Sequence, residues 1–258
     1  MALMGVPMLE HGNQARPAPP GEAESGGNEV TPQVKICGLT RPRQARDCAD
    51  LGADAIGLVF FPKSPRNVTI EQARTIVAAL PPMVAAVGVF VNASFDFIME
   101  RVNRCGLSMA QLHGRETPEL ALRLMNEDVG VIKALFVDGT PGLSDAGAYR
   151  ADAFLVECAK GPLPGGNAMV WEWGAALDFG TRHPLVLAGG LAPDNVADAI
   201  GAALPAAVDA SSGLEASPGH KDLDKVARML AAVKETGGAY SGKSLTPVFR
   251  PRGKGLHG

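Results

Sequence analysis

The sequence predicts an α/β protein built as a single (β/α)8 (TIM) barrel. Between residues 33 and 236, eight short apolar segments alternate with helix-like ones, which is the repeat of that fold. The apolar segments lack a clean polar alternation, as strands of a parallel sheet covered on both faces do. No GxGxxG follows the first strand, which counts against the open doubly wound sheet that this length would also accommodate.

In chain order, strands are expected at 33–37, 55–60, 84–91, 109–112, 131–136, 153–157, 184–187 and 206–209. Helices are expected at 42–51, 69–80, 95–105, 118–126, 171–180, 193–202 and 223–235. Thr40 ahead of Pro42, Thr69 with Gln72 three residues on, and Thr117 before Pro118 supply caps and first-turn prolines. The step after Phe136 is turn-rich across 139–147 and leaves room only for a short helix. Residues 1–32 are rich in Pro and Gly and have no periodic apolar face, so they read as a disordered extension. Residues 237–258 read as a flexible tail, basic through Lys243, Arg250, Arg252 and Lys254 and without any acid.

Composition narrows the ligand. A net charge of −3 and 46% apolar residues describe a globular chain with no electrostatic case for nucleic acid or an anionic membrane. A small-molecule substrate is therefore expected. Cys37, Cys48, Cys105 and Cys158 are scattered and form no CxxC pair, and the five histidines lack ligand spacing. Neither a disulfide framework nor a metal site is signalled. The expectation is a cytoplasmic protein without cofactor, with no apolar run long enough for a membrane span.

In a barrel of this kind, residues that follow the strands converge on one mouth. Cys37 ends the first strand and is followed by Gly38, so its thiol would face out of the sheet where such folds place chemistry. The second strand leads into Phe61-Pro62-Lys63-Ser64-Pro65-Arg66, a stiff loop offering two cations. His113 follows the fourth strand and Glu157 ends the sixth. Gly189-Gly190 follow the seventh, and Asp209-Ala210-Ser211-Ser212-Gly213 the eighth. Backbone N–H groups and hydroxyls of the last two loops suit a phosphate dianion. A thiol and a carboxylate across the mouth suit cofactor-free proton transfer on a sugar phosphate.

The strings KICGLT (35–40), GLVFFPKSPR (57–66), GVFV (88–91), QLHG (111–114), LAGGLAPDNV (187–196) and VDASSGLEASPGHKD (208–222) resemble, in order, those of the phosphoribosylanthranilate isomerase family of tryptophan biosynthesis. The resemblance covers roughly 33–235 and leaves both tails outside. It implies an Amadori rearrangement of N-(5′-phosphoribosyl)anthranilate to 1-(2-carboxyphenylamino)-1-deoxyribulose 5-phosphate, in a protein that is a monomer or a homodimer. It further implies Cys37 as general base and Arg66 as partner of the anthranilate carboxylate. Gly189, Gly190, Ser211, Ser212 and Gly213 would hold phosphate, and His113 and Asp209 would line the site. Lys35 shares a strand face with Cys37 at a different depth and is not expected to act on the thiol. Lys63 or Arg66 is expected to favour the thiolate.

One stretch departs from the family pattern. Where the family has Asp-Thr and a loop close to GGTGKTFDW, this chain has Glu157-Cys158, and then Gly165-Gly166-Asn167-Ala168-Met169-Val170-Trp171-Glu172-Trp173. Glu157 is expected to be the general acid, although its extra methylene moves the carboxyl by roughly an ångström, a displacement that can cost about 10²-fold if uncorrected. This departure leaves two alternatives: a paralogous isomerase of another aminated sugar phosphate, or a non-catalytic barrel that binds phosphorylated ligands.

Overall fold

The computed structural model describes residues 1–2, 30–159, 169–242 and 244–251. Most of the expected N-terminal extension, residues 160–168 of the altered loop, and residues 252–258 fall outside them.

Eight strands close a parallel barrel in sequence order. They are β1 (Gln33–Cys37), β2 (Ala55–Phe60), β3 (Ala85–Phe90), β4 (Met109–Leu112), β5 (Gly130–Phe136), β6 (Ala153–Glu157), β7 (Leu185–Leu187) and β8 (Ala207–Ala210). β1 closes the ring against β8, with Val34 opposite Val208 and Lys35 opposite Asp209. The helices are α1 (Pro42–Asp50), α2 (Ile70–Ala79), α3 (Phe95–Cys105), α4 (Pro118–Asn126), α5 (Leu177–Arg182), α6 (Val196–Ala203) and α7 (Leu223–Lys234). Local chemistry sets several starts. Thr69 and Gln72 form the expected capping box on α2, and Ser94, Thr117 and Asp222 cap α3, α4 and α7. Thr40 does not cap α1: Arg41 takes the N-cap position without a side-chain bond, and the Thr40 hydroxyl donates instead to Gly219 O. The weak step after β5 is filled by a short 3-10 helix at Leu143–Ala148.

Three differences from expectation have local causes. The helix expected from 171 begins as a 3-10 turn, Trp173–Ala176, after both indoles turn back to the β7 end: Trp171 Nε1 donates to Ala188 O and Trp173 Nε1 to Gly189 O. α6 starts three residues late because Asn195 first closes a side-chain turn, accepting from the Ala192 N–H at 2.8 Å. After β8, an unexpected hairpin of β9 (Glu215–Ser217) and β10 (His220–Lys221) precedes α7.

The strand period divides the core in two. One set of side chains, including Val34, Ile36, Ile56, Leu58 and Phe90, packs under the helices. The other fills the barrel with many small residues, Ala55, Ala85, Ala134, Ala153 and Ala207 among them, beside Val87, Met109, Ile132 and Leu155. Gln33, Lys35 and Cys37 belong to this inner parity. So do Gln111, Glu157 and Asp209, each nearer the carboxyl end of its strand.

The expectation of a flexible tail at 237–258 is corrected where the chain is described. Tyr240 is buried and its hydroxyl donates to Pro205 O at 2.8 Å. Val248 and Phe249 are buried within the inner cluster, and their N–H groups both donate to Gln33 Oε1, at 2.6 and 2.8 Å. Gln33 Nε2 in turn donates to Phe249 O. This short apolar segment therefore stoppers the barrel at the amino ends of its strands, with Pro247 and Arg250 flanking a pair that burial outweighs.

Candidate active site

At the opposite mouth, the buried polar residues form three groups. The first lies on β1 and β8. Lys35 is fully buried, and its Nζ pairs with Asp209 Oδ2 at 2.8 Å. Burial alone would lower the lysine's pKa, but Asp209 and the neighbouring thiol more than reverse it. The Cβ that Gly57 lacks would stand 2.7 Å from Cys37 Sγ and 3.0 Å from Lys35 Nζ, so the missing side chain is what lets thiol and ammonium share this space. Burial pushes the Cys37 thiol up, and Lys35 and then Lys221 pull it back without fully reversing it. The expectation that Lys35 is too deep to act is thus corrected, because a four-carbon stem spans the depth between alternate residues. Lys63 is exposed; the main cations acting on the thiolate are Lys35 and Lys221, and Arg66 also interacts with it. Asp209 Oδ1 is buried and without a hydrogen-bond partner among the described residues.

The second group joins β4 and β6. His113 Nε2 lies 2.9 Å from Glu157 Oε1, and Gln111 Nε2 lies 2.8 Å from His113 Nδ1. The imidazole is thus bracketed by an amide at one ring nitrogen and a carboxyl at the other. Both side chains of the His113–Glu157 pair are only 7% exposed. The loop under them is anchored from below. Lys133 Nζ donates to Leu112 O, Gly114 O and Glu116 Oε2, and Glu116 accepts from the N–H groups of Asn92 and Gly114.

The third group centres on Arg66. Its stem runs over Gly38, beside Cys37. Gly38 has φ +83°, so a side chain there would be both strained and obstructed. Arg66 Nε and Nη2 donate to the two oxygens of Glu215 at 2.8 and 2.7 Å. Lys221 Nζ meets the same carboxylate at 2.9 Å. Burial would raise the Glu215 carboxyl, but these two cations hold it below the usual range.

The two loops expected to hold phosphate lie nearby. Gly189 and Gly190 both have positive φ, 86° and 70°, and Met169 and Val170 cross so close to Gly190 that a Cβ there would collide with their backbone. Ser211 differs from expectation in one respect. Its hydroxyl donates to Cys37 O at 3.1 Å, tying β8 to β1, so its proton is committed, whereas Ser212 and Gly213 open a 3-10 turn.

The fold thus brings the expected residues Cys37, Arg66, His113, Glu157, Asp209 and the two small-residue loops to one end of one barrel. Lys35, Glu215, Lys221 and the Gln111 amide complete the arrangement. Glu215 and Lys221 stand inside the string 208–222, but nothing in sequence shows that a hairpin folds them back onto Arg66. Among the described residues no cluster of His, Cys, Asp and Glu could hold a metal ion, and no helix is long and apolar enough to cross a membrane.

A closed eightfold barrel with a thiol, a carboxylate–imidazole pair and an arginine at its carboxyl mouth defines a barrel enzyme of the acid–base type. Comparison with known proteins is specific. Residues 34–232 match the family model of N-(5′-phosphoribosyl)anthranilate (PRA) isomerase. The N-(5′-phosphoribosyl)anthranilate isomerase of Desulfatibacillum aliphaticivorans is 53% identical over 208 residues, 81% of this chain and 95% of that protein. The crystal structure of phosphoribosyl anthranilate isomerase from Thermotoga maritima has 40% identity and a TM-score of 0.73, over 79% of this chain and 99% of that one. A structure of the isomerase in complex with reduced 1-(o-carboxyphenylamino)-1-deoxyribulose 5-phosphate, also 40% identical, has a TM-score of 0.70 over the same shares. The chain belongs to the PRA isomerase family.

Proposed function

We propose that the chain isomerises N-(5′-phosphoribosyl)anthranilate by acid–base catalysis, with Glu157 as acid and Cys37 as base. In this reading Glu157 gives a proton to the furanose ring oxygen as the C1′–O bond breaks, leaving an open-chain Schiff base. The Cys37 thiolate then removes the C2′ proton, and the enolamine tautomerises to the aminoketone. Arg66 receives the anthranilate carboxylate. The loops at Gly189-Gly190 and Ser211-Ser212-Gly213 hold the phosphate. Asp209 keeps Lys35 in place against the thiol, and His113 supplies a second proton carrier in contact with the acid.

The observation that carries this assignment is the 2.9 Å contact between His113 and Glu157. It gives the longer acid a fixed partner at the mouth where β1 delivers Cys37, and so supports glutamate where the family pattern has aspartate. The test is turnover of freshly generated substrate, followed by loss of its fluorescence, for wild type, Cys37→Ala and Glu157→Gln. Both variants are expected to lose about 10²–10⁴-fold in kcat, the usual contribution of a positioned acid or base. Near-normal turnover of Glu157→Gln would move the acid elsewhere.

A further inference from the structure

Arg66 is spoken for twice, and the geometry says how. A guanidinium has five N–H groups and can present two carboxylate-matching edges: the side edge of Nε and one Nη, and the end edge of both Nη atoms. Glu215 takes the side edge in full, at 2.8 and 2.7 Å. The end edge, Nη1 together with the second N–H of Nη2, has no partner among the described residues. Glu215 is itself held from two further directions, by Lys221 Nζ at 2.9 Å and the Gly219 N–H at 3.1 Å. Gly219 sits at the turn between β9 and β10 with φ +78°, so the hairpin's own geometry fixes the carboxylate. Lys221 Nζ also donates to Ser211 O, which joins this cluster to the loop beside Cys37.

The charges add up in the same direction. Arg66 with Glu215 alone would be neutral and a poor receiver for an anion. Lys221 on the same carboxylate restores a net charge of +1 to the trio. Glu215 can therefore orient Arg66 without cancelling its pull on a substrate carboxylate.

We infer that Glu215 is a positioning residue that sets specificity for the acidic ring: by filling one edge of Arg66 it presents the other, at a fixed angle, to the carboxylate ortho to the substrate's amino group. The inference rests on the assignment of Arg66 to that carboxylate. It places specificity on the β9–β10 hairpin, 149 residues along the chain from the arginine that makes the contact.

Two ligands separate orientation from general damage: reduced 1-(o-carboxyphenylamino)-1-deoxyribulose 5-phosphate and the same compound without its ring carboxylate. Affinities are measured by calorimetry for wild type, Glu215→Gln, Arg66→Ala and the double variant, with thermal melts alongside. Glu215→Gln is expected to bind the carboxylate ligand about tenfold or more weaker, the scale that misplacing a clamp costs. It should bind the carboxylate-free ligand within about twofold of wild type, because a ligand that never engaged Arg66 loses little when Arg66 is freed. The effect should vanish in the Arg66→Ala background. Equal losses for both ligands, or a selective loss that persists without Arg66, would overturn the role. Wild-type protein that binds both ligands equally would overturn the Arg66 assignment and this inference with it, whereas wild-type discrimination that Glu215→Gln leaves intact overturns the inference alone. Should Glu215→Gln fail to fold, Glu215→Asp keeps the charges and retracts the carboxylate, and the same selective pattern is expected to a smaller degree. Its absence there counts against the role.

Discussion

Cys37 can act as a base only after it loses its proton, and the barrel works against that loss before it helps. Burial raises the thiol, while Lys35 and Lys221 recover part of the shift. The sign for activity follows directly. In the free protein kcat/KM should rise with pH as the thiol ionises, levelling off only above the ordinary thiol range. Lys35→Met removes the first cation and leaves Asp209 negative and unmatched, and both changes disfavour thiolate. The rising limb of the pH–rate profile should move to higher pH in that variant. A limb that stays in place or moves down would show that Lys35 does not act on the thiol. Cys37 could be singled out in sequence because a glycine follows it at a strand end. Lys35 was in plain view two residues earlier, but its influence depends on Gly57, a residue of the next strand whose missing side chain no reading of β1 alone can register.

Whole elements carry the site through buried ion pairs at their ends. Lys133 on β5 is completely buried and holds the turn after β4 by two carbonyls and by Glu116. Removing one member of such a pair strands the other's charge. Lys133→Met should therefore cost about 3 kcal/mol of stability, measured by urea unfolding, and should lower turnover by loosening the loop that presents His113. An unchanged midpoint would mean that the Asn92 and Gly114 amides alone satisfy Glu116. Thr40 before Pro42 misled because its hydroxyl is drawn to Gly219 in a distant hairpin, whereas the strands, most helices and the caps at Thr69 and Thr117 were legible because their signals are local. The β9–β10 hairpin was not, since Glu-Ala-Ser-Pro-Gly-His-Lys is too short and polar to announce a strand pair. Its form comes from Arg66 and Lys221 gripping Glu215 across 149 and 6 residues of chain.

At the scale of the whole molecule, the ends of the barrel divide the work. The carboxyl mouth holds the groups proposed to react, and the amino end is sealed by a segment beyond the part of the chain that the family model matches. Prolines, glycines and cations made residues 237–258 look solvated, and the apolar pair Val248-Phe249 was too brief to outweigh that composition. Its role depends on a hole that exists only after eight strands have closed. Phe249→Ala should cost about 3 kcal/mol, as large-to-small changes at buried aromatic positions do, with kcat unaltered because the site lies at the far end. A loss of kcat at unchanged stability would instead tie the seal to the chemistry.

The grip of Gln33 on Val248 has a consequence in time. The two residues are separated by 215 positions, and β1 leaves the ribosome long before its partner does. A nascent chain halted after Ala210 has emerged but short of Val248 can form all eight strands, yet it keeps an open apolar well under Gln33 and lacks the backbone groups that Gln33 grips. Arrested chains of increasing length should accordingly stay protease-sensitive and chaperone-bound after the last strand has emerged, and become resistant over a few residues around 249.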